Sequence, residues 1–193
     1  MVEIGDYAFY QCKELVSTTI PFGVTRIGES AFNSCDYLAK VTIPDSVRSI
    51  GESAFASCWD LKSVVIPTGV TAISDWTFAG CVNMKSVTIS DSITSIGAQA
   101  FQGCGSLTTV TIPRSVTDIG ESAFWGCENL VSVKIPDGVT SIGDSVFWGC
   151  KGLTSVSIPD SVTVIEKWAF HECDCLDKSS RDLILRRFGS DVL

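Results

Sequence analysis

Thiols, imidazoles and paired carboxylates are the groups that bind metals or carry nucleophilic and acid–base chemistry. This sequence has nine cysteines and a single histidine, His171. Cys12, Cys35, Cys58, Cys81, Cys104, Cys127, Cys150 and Cys173 are each 23 residues apart, and only Cys175 is off that grid. Zinc sites and disulfide frameworks show clustered or uneven spacing, so an even series reads as an internal repeat. Stacked thiols would approach disulfide Cα distances, but with Cβ vectors pointing inward together. The expectation is a reduced, buried ladder that packs as small hydrophobes. Cys173-Asp174-Cys175 with His171 is a weak metal signal, and no metal or other cofactor is expected.

Asp6, Glu29, Glu52, Asp75, Glu121 and Asp144 form an acidic column, broken by Ala98 and Lys167. They face outward in series and are not paired in a cleft. Each is expected to open its own short helical turn, where negative charge suits free N–H groups. One terminal histidine cannot complete a Ser/His/Asp set, and the glycines recur at repeat spacing with no phosphate loop among them. The expectation is therefore a protein without catalytic residues.

Other columns suit binding. After each repeated Phe comes Tyr10, Asn33, Ala56, Ala79, Gln102, Trp125, Trp148 or His171, so Trp125 and Trp148 fall on neighbouring repeats with His171 beside them. Exposed neighbouring tryptophans are enriched at binding hot spots. A second aromatic column holds Tyr7, Trp76 and Trp168. Lys40, Lys62, Lys85 and Lys134 make a mildly basic area on an acidic chain, suited to an acidic peptide or glycan. Thr19, Thr42, Thr88, Thr111 and Ser157 form one hydroxyl row, and Thr25, Thr71, Thr94, Thr117, Thr140 and Thr163 another. Regular threonine rows can order water, so ice binding is an alternative function, although Lys and Arg interrupt them and Thr is a common strand-surface residue.

All these columns need one element to position them. Phe recurs from Phe9 to Phe170, Ile from Ile4 to Ile165, and Leu or Met from Leu15 to Leu176, all with the 23-residue step. Within a unit, Val110-Thr111-Ile112 alternates with β-branched residues and reads as a strand, which the next Pro ends. Pro136-Asp137-Gly138 reads as a turn, and Val139-Thr140-Ser141-Ile142 as a second extended piece. Ala-Phe-x-x-Cys then places Phe and Cys on one side of a single helical or 3₁₀ turn. One unit cannot bury its apolar row alone, whereas stacking puts like on like and makes one continuous core.

The segment Leu107-Thr108-Thr109-Val110-Thr111-Ile112-Pro113, followed by Ile119-Gly120-Glu121-Ser122-Ala123-Phe124-Trp125-Gly126-Cys127, resembles the unit of the BspA-like leucine-rich repeat family. The resemblance covers roughly residues 2–176. Ser or Gly stands where most leucine-rich repeats carry Asn, so no Asn ladder is expected. The resemblance implies an α/β repeat solenoid: a right-handed superhelix with a parallel β-sheet on the concave face and short helical or 3-10 turns on the other side. It also implies protein binding or cell-surface adhesion.

The organisation expected is a partial repeat over 1–14, seven 23-residue repeats over 15–175, and a capping helix and tail over 176–193. In the tail, Ser179 and Asp182 read as a capping box, Arg186 and Arg187 favour the helix dipole, Gly189 is a stop, and Leu183, Ile184 and Phe188 are expected to cover the last coil. The chain has 193 residues and a formal net charge of −8, which argues against general nucleic-acid binding. No run is long enough to span a membrane, and no signal peptide is visible at the start. The function expected is a non-enzymatic scaffold for protein–protein interaction, with Trp125, Trp148, His171, Lys40, Lys62, Lys85 and Lys134 as candidate contacts. The alternatives are an adhesin segment binding extracellular matrix or host cells, and the ice binder. The partner expected is a protein, with no nucleic acid or membrane span, and the chain itself a monomer or weak end-to-end dimer.

Overall fold

A computed structural model describes residues 2–193. Each repeat is one coil of a parallel β-solenoid of about seven turns. In chain order the strands are β1 (Val2–Ile4), β2 (Ser17–Thr19), β3 (Val24–Ile27), β4 (Lys40–Thr42), β5 (Ser49–Ile50), β6 (Ser63–Val65) and β7 (Ala72–Ile73). They continue as β8 (Ser86–Thr88), β9 (Ser95–Ile96), β10 (Asp118–Ile119), β11 (Ser132–Lys134), β12 (Ser141–Ile142), β13 (Ser155–Ser157) and β14 (Val164–Ile165). One helix, α1 (Lys178–Phe188), follows. One side of the solenoid pairs β2 with β4, β6 with β8 and β11 with β13. A second side runs β1-β3-β5, β7-β9-β10 and β12-β14. Partners lie one repeat apart, as in Val64↔Val87 and Ile142↔Ile165, so identical columns face the same way. Close approach of successive coils explains a glycine after the repeated Ile: a Cβ on Gly51 would lie 2.6 Å from the Glu29 nitrogen.

Two expectations are corrected. The Ala-Phe-x-x-Cys segment is a row of hydrogen-bonded turns, without a helix. Tyr10 and Cys12 donate to Tyr7 and Phe9 within the segment, whereas Tyr7, Phe9 and Gln11 donate across to the carbonyls of Glu29, Ala31 and Asn33 on the next coil. A helix would use its donors internally; here half of them tie coils together. Left-handed residues such as Ser30 and Ser34, at φ 49° and 59°, turn those groups outward. The fold is accordingly a β-solenoid with one helix and not an α/β alternation. Second, Val110-Thr111-Ile112 forms no regular strand. On this side that coil has the isolated bridges Ser86↔Thr109 and Thr109↔Ser132, with backbone bonds from Thr108 to Lys85 and from Val131 to Thr108 beside them. The adjacent turn departs from the repeat: Ser90 replaces Pro, and its hydroxyl bonds back to the Pro67 carbonyl and across to Ser92.

The core is a set of files. Phe9, Phe32, Phe55, Phe78, Phe101, Phe124, Phe147 and Phe170 stack face to face, with successive centroids 5.0–5.6 Å apart. Cys35 through Cys173 are buried and free. These thiols do more than fill space. Each donates to the carbonyl of the Phe one coil back, Cys104 to Phe78 and Cys127 to Phe101 at 3.3 Å, which satisfies a buried acceptor. Burial pushes the thiols up, Cys35 to about 11 and Cys104 to about 12, so they stay protonated and inert.

The helix closes the last coil. Asp177, not Ser179, is the N-cap: its carboxylate accepts from the Ser180 N–H at 2.7 Å, which holds its pKa below the ordinary value. The Ser180 hydroxyl is free to turn inward and accept from the Val156 N–H. Gly189 forms the C-cap and Arg186 and Arg187 lie in the last turn. Ile184 is fully buried, Phe188 packs against the core, and Leu183 is half-buried. Arg187 donates to the carbonyls of Ile158, Pro159 and Val162, and the tail carbonyls of Asp191 and Val192 accept from Trp168 and Phe170. At the other end Val2, Tyr7, Phe9 and Tyr10 are exposed.

Candidate functional site

Alternation sends every second residue of the short strands outward. On the β2/β4/β6/β8/β11/β13 side the outward columns run from Val16 to Thr154, from Ser17 to Ser155 and from Thr19 to Ser157. Their only charged members are Lys40, Lys62, Lys85 and Lys134, all exposed. Lys62 contacts Asp60 at 3.4 Å, and the other three have no carboxylate within salt-bridge distance among the described residues. Next to Lys134 a cleft of about 460 Å³ lies over the irregular coil, lined by Thr111, Arg114, Lys134, Asp91 and Asp137. Arg114 lines this cleft without having stood out in the sequence; its clue was a cation at a turn position occupied by Asp in several other coils.

The turn row carries the aromatic candidates. Trp148 meets His171 edge-on at 5.1 Å and Trp168 at 5.7 Å, and the His171 Nδ1 lies 3.3 Å from the Leu193 carbonyl. Trp125, 39% exposed, is not in that stack. It shares with Trp148 a groove of about 450 Å³, which is lined also by Gly103, Gly126, Gly149, Glu128, Lys151 and Glu172. Lys151 bonds Glu128 at 3.0 Å, which raises its pKa. On the other side of Trp125 a second hollow of about 410 Å³ continues over Gln102, Ala79, Ala56 and Asn33. The structure thus brings Trp125, Trp148 and His171 to one face and the four lysines to another.

Two members of the acidic column behave differently from the expectation. Asp6 accepts from the Glu29 N–H at 2.8 Å and Asp75 from the Ala98 N–H at 2.7 Å, so these carboxylates clamp the next coil and do not cap their own. The Glu29 N–H and then Arg26 hold the Asp6 carboxyl below the ordinary value. In the second threonine row the hydroxyls of Thr94 and Thr163 donate to carbonyls of the preceding coil, at 3.2 and 3.4 Å, and that of Thr117 donates to the Asp118 carboxylate at 2.6 Å. Their single protons are spent on the protein, which leaves each hydroxyl to meet water only as an acceptor. No helix is long and apolar enough to cross a membrane, and no three His, Cys, Asp or Glu side chains converge as a metal site, among the described residues.

A model of the BspA type leucine rich repeat region matches in six copies, over residues 2–130 and 48–177. A Treponema pallidum leucine rich repeat protein of known structure is 32% identical, with a TM-score of 0.69; the match covers 96% of this chain and 76% of that one. A leucine rich cell surface protein from Faecalibacterium prausnitzii is 30% identical with a TM-score of 0.63, covering 98% of this chain and 66% of its own. The chain therefore spans three quarters of one relative and just under two thirds of the other. No curated protein matches the chain.

Proposed function

Because this chain belongs to the BspA-type leucine-rich repeat family, we propose that it is a non-enzymatic scaffold for protein–protein interaction, docking an acidic partner on its lysine-bearing sheet face. One observation carries the reading. On a chain of net charge −8, the outward strand columns of this face carry Lys40, Lys62, Lys85 and Lys134 as their only charges, with Asp60, Asp91 and Asp137 at the margins. The rest of that face is small: Ser, Thr, Val and Ala on short, flat strands. Little side-chain bulk or entropy opposes docking there. Complementary charge would steer a partner and set its register. Scaffold columns are spent on packing, so outward residues can vary without cost to the stack.

The test is capture of partners by the folded chain, repeated with Lys62→Glu plus Lys85→Glu. A partner bound through this face is lost by about tenfold or more in affinity and shows strong salt dependence, with an unchanged melting temperature. Binding indifferent to the reversal refutes the assignment of the face.

A second reading, an adhesin segment engaging matrix or host cells, is supported by the description of the F. prausnitzii relative as a cell surface protein. Labelling of intact cells from the source organism distinguishes the two: surface exposure supports the adhesin and an internal location removes it.

A further inference from the structure

The turn-row groove has features that the stacking of coils does not demand. Gly80, Gly103, Gly126 and Gly149 line one column, at φ 69–73°. The same column is Ser34, Ser57 and Glu172 in other coils, at φ 56–59°, so the turn tolerates a side chain. A Cβ on Gly103 or Gly126 would meet nothing closer than 3.7 Å. At this φ glycine is the residue the backbone prefers, and it also leaves the floor bare beside Trp125 and Trp148. Trp125 is exposed and Trp148 half-buried, and neither indole N–H donates a hydrogen bond among the described residues. Gln102, in the adjoining hollow, carries a buried Oε1 with no partner, the one such side-chain atom among the described residues. Both hollows share Gly103 and Trp125 and run along the solenoid axis. From Asn33 to Glu172 the path is roughly 30 Å at ~4.8 Å per coil. An extended peptide of about nine residues has that length.

The charge at the Trp end is negative. Glu128 is balanced by Lys151, while Glu172 makes no ion pair. An indole face beside a carboxylate attracts a cation. Free indole N–H donors along a shallow groove suit the carbonyls of an extended chain, as in polyproline-type recognition.

We propose that this groove binds an extended, proline-spaced peptide segment carrying an arginine, with the guanidinium between the Trp125 and Trp148 rings and Glu172, and the peptide backbone over the glycine floor. The site is separate from the lysine-bearing sheet face. A linear glycan would also stack on tryptophan, and the groove has polar side chains to meet it; the carboxylate of Glu172, which makes no ion pair, favours a cationic side chain over a neutral sugar.

The experiment is a calorimetric and tryptophan-fluorescence titration of the full chain with proline-spaced dodecapeptides bearing one central Arg or one central Glu, and with a linear β-glucan oligosaccharide. The Arg peptide is expected to bind about tenfold or more tightly than the Glu peptide. Trp125→Ala and Trp148→Ala each weaken it about tenfold, and Glu172→Gln weakens it about threefold and flattens its salt dependence. Lys62→Glu plus Lys85→Glu leaves it unchanged, which separates this site from the sheet face. If Trp148→Ala does not fold, Trp125→Ala and Glu172→Gln carry the test. Equal affinity for Arg and Glu peptides, preference for the oligosaccharide, or no binding of any peptide at millimolar concentration overturns the proposal.

Discussion

Raising the pH beyond the thiol range should unfold this protein through its cysteine file. Seven thiols, Cys35, Cys58, Cys81, Cys104, Cys127, Cys150 and Cys173, are buried. Their ordinary pKa is 9.0; desolvation pushes Cys35 to about 11, Cys104 and Cys173 to about 12, and the others up as well. The folded state therefore holds protons that the unfolded chain releases. Below pH 9 both states are protonated and the full stability is present. It is lost as pH rises from 9 toward the folded values. At pH 10 each thiol removes on the order of 1 kcal/mol, and the seven together several kcal/mol, against a total stability of about 5–15 kcal/mol. Circular dichroism against pH should show a steep transition between about pH 9 and 11, with release of several protons. Cys104→Ala, which takes one thiol out of the file, should soften its slope by about one proton. At pH 8 the buried thiols stay protonated and shielded, so a disulfide reagent should modify the two exposed thiols, Cys12 and Cys175, quickly and the rest only through unfolding. Retention of the fold at pH 11, or comparable rates at all nine thiols, would refute the reasoning.

Three further outcomes are expected. Phe101→Ala, with ring neighbours at 5.6 and 5.4 Å and no exposure, should cost about 3–5 kcal/mol by urea titration, whereas Phe9→Ala, 41% exposed with one ring neighbour, should cost less than about 2 kcal/mol. Equal losses would contradict a file that is tight inside and open at one end. Asp177→Ala should cost about 1 kcal/mol and Arg187→Ala, which frees three carbonyls of the last coil, about 2 kcal/mol, seen as a melting temperature lower by about 4–8 °C for the latter. A thermal-hysteresis assay should show no ice shaping, because Thr94 and Thr163 donate their hydroxyl protons to neighbouring coils and Thr117 to Asp118; shaped ice crystals would refute that expectation.

Periodicity alone carried a great deal. A step of 23 with identical residues at Phe, Cys, Ile and Leu positions can be buried only by stacking like on like, so the solenoid, its buried files and its outward lysine and tryptophan columns are all legible along the chain. Membership of a column is a property of sequence position. The position of columns relative to one another is not, because it depends on the backbone dihedrals of each turn and on the hydrogen bonds that set them. That is why the expected helical turn became a row of left-handed turns tied to the next coil, and why Val110-Thr111-Ile112 reads as a strand yet its coil has isolated bridges at Thr109. The same cause placed Trp148 on His171 and Trp168, left Trp125 across a glycine floor, and sent Arg187 to three carbonyls about one coil back. The repeat determined which side chains align along the axis. Only the folded coil decided which of them become neighbours around it.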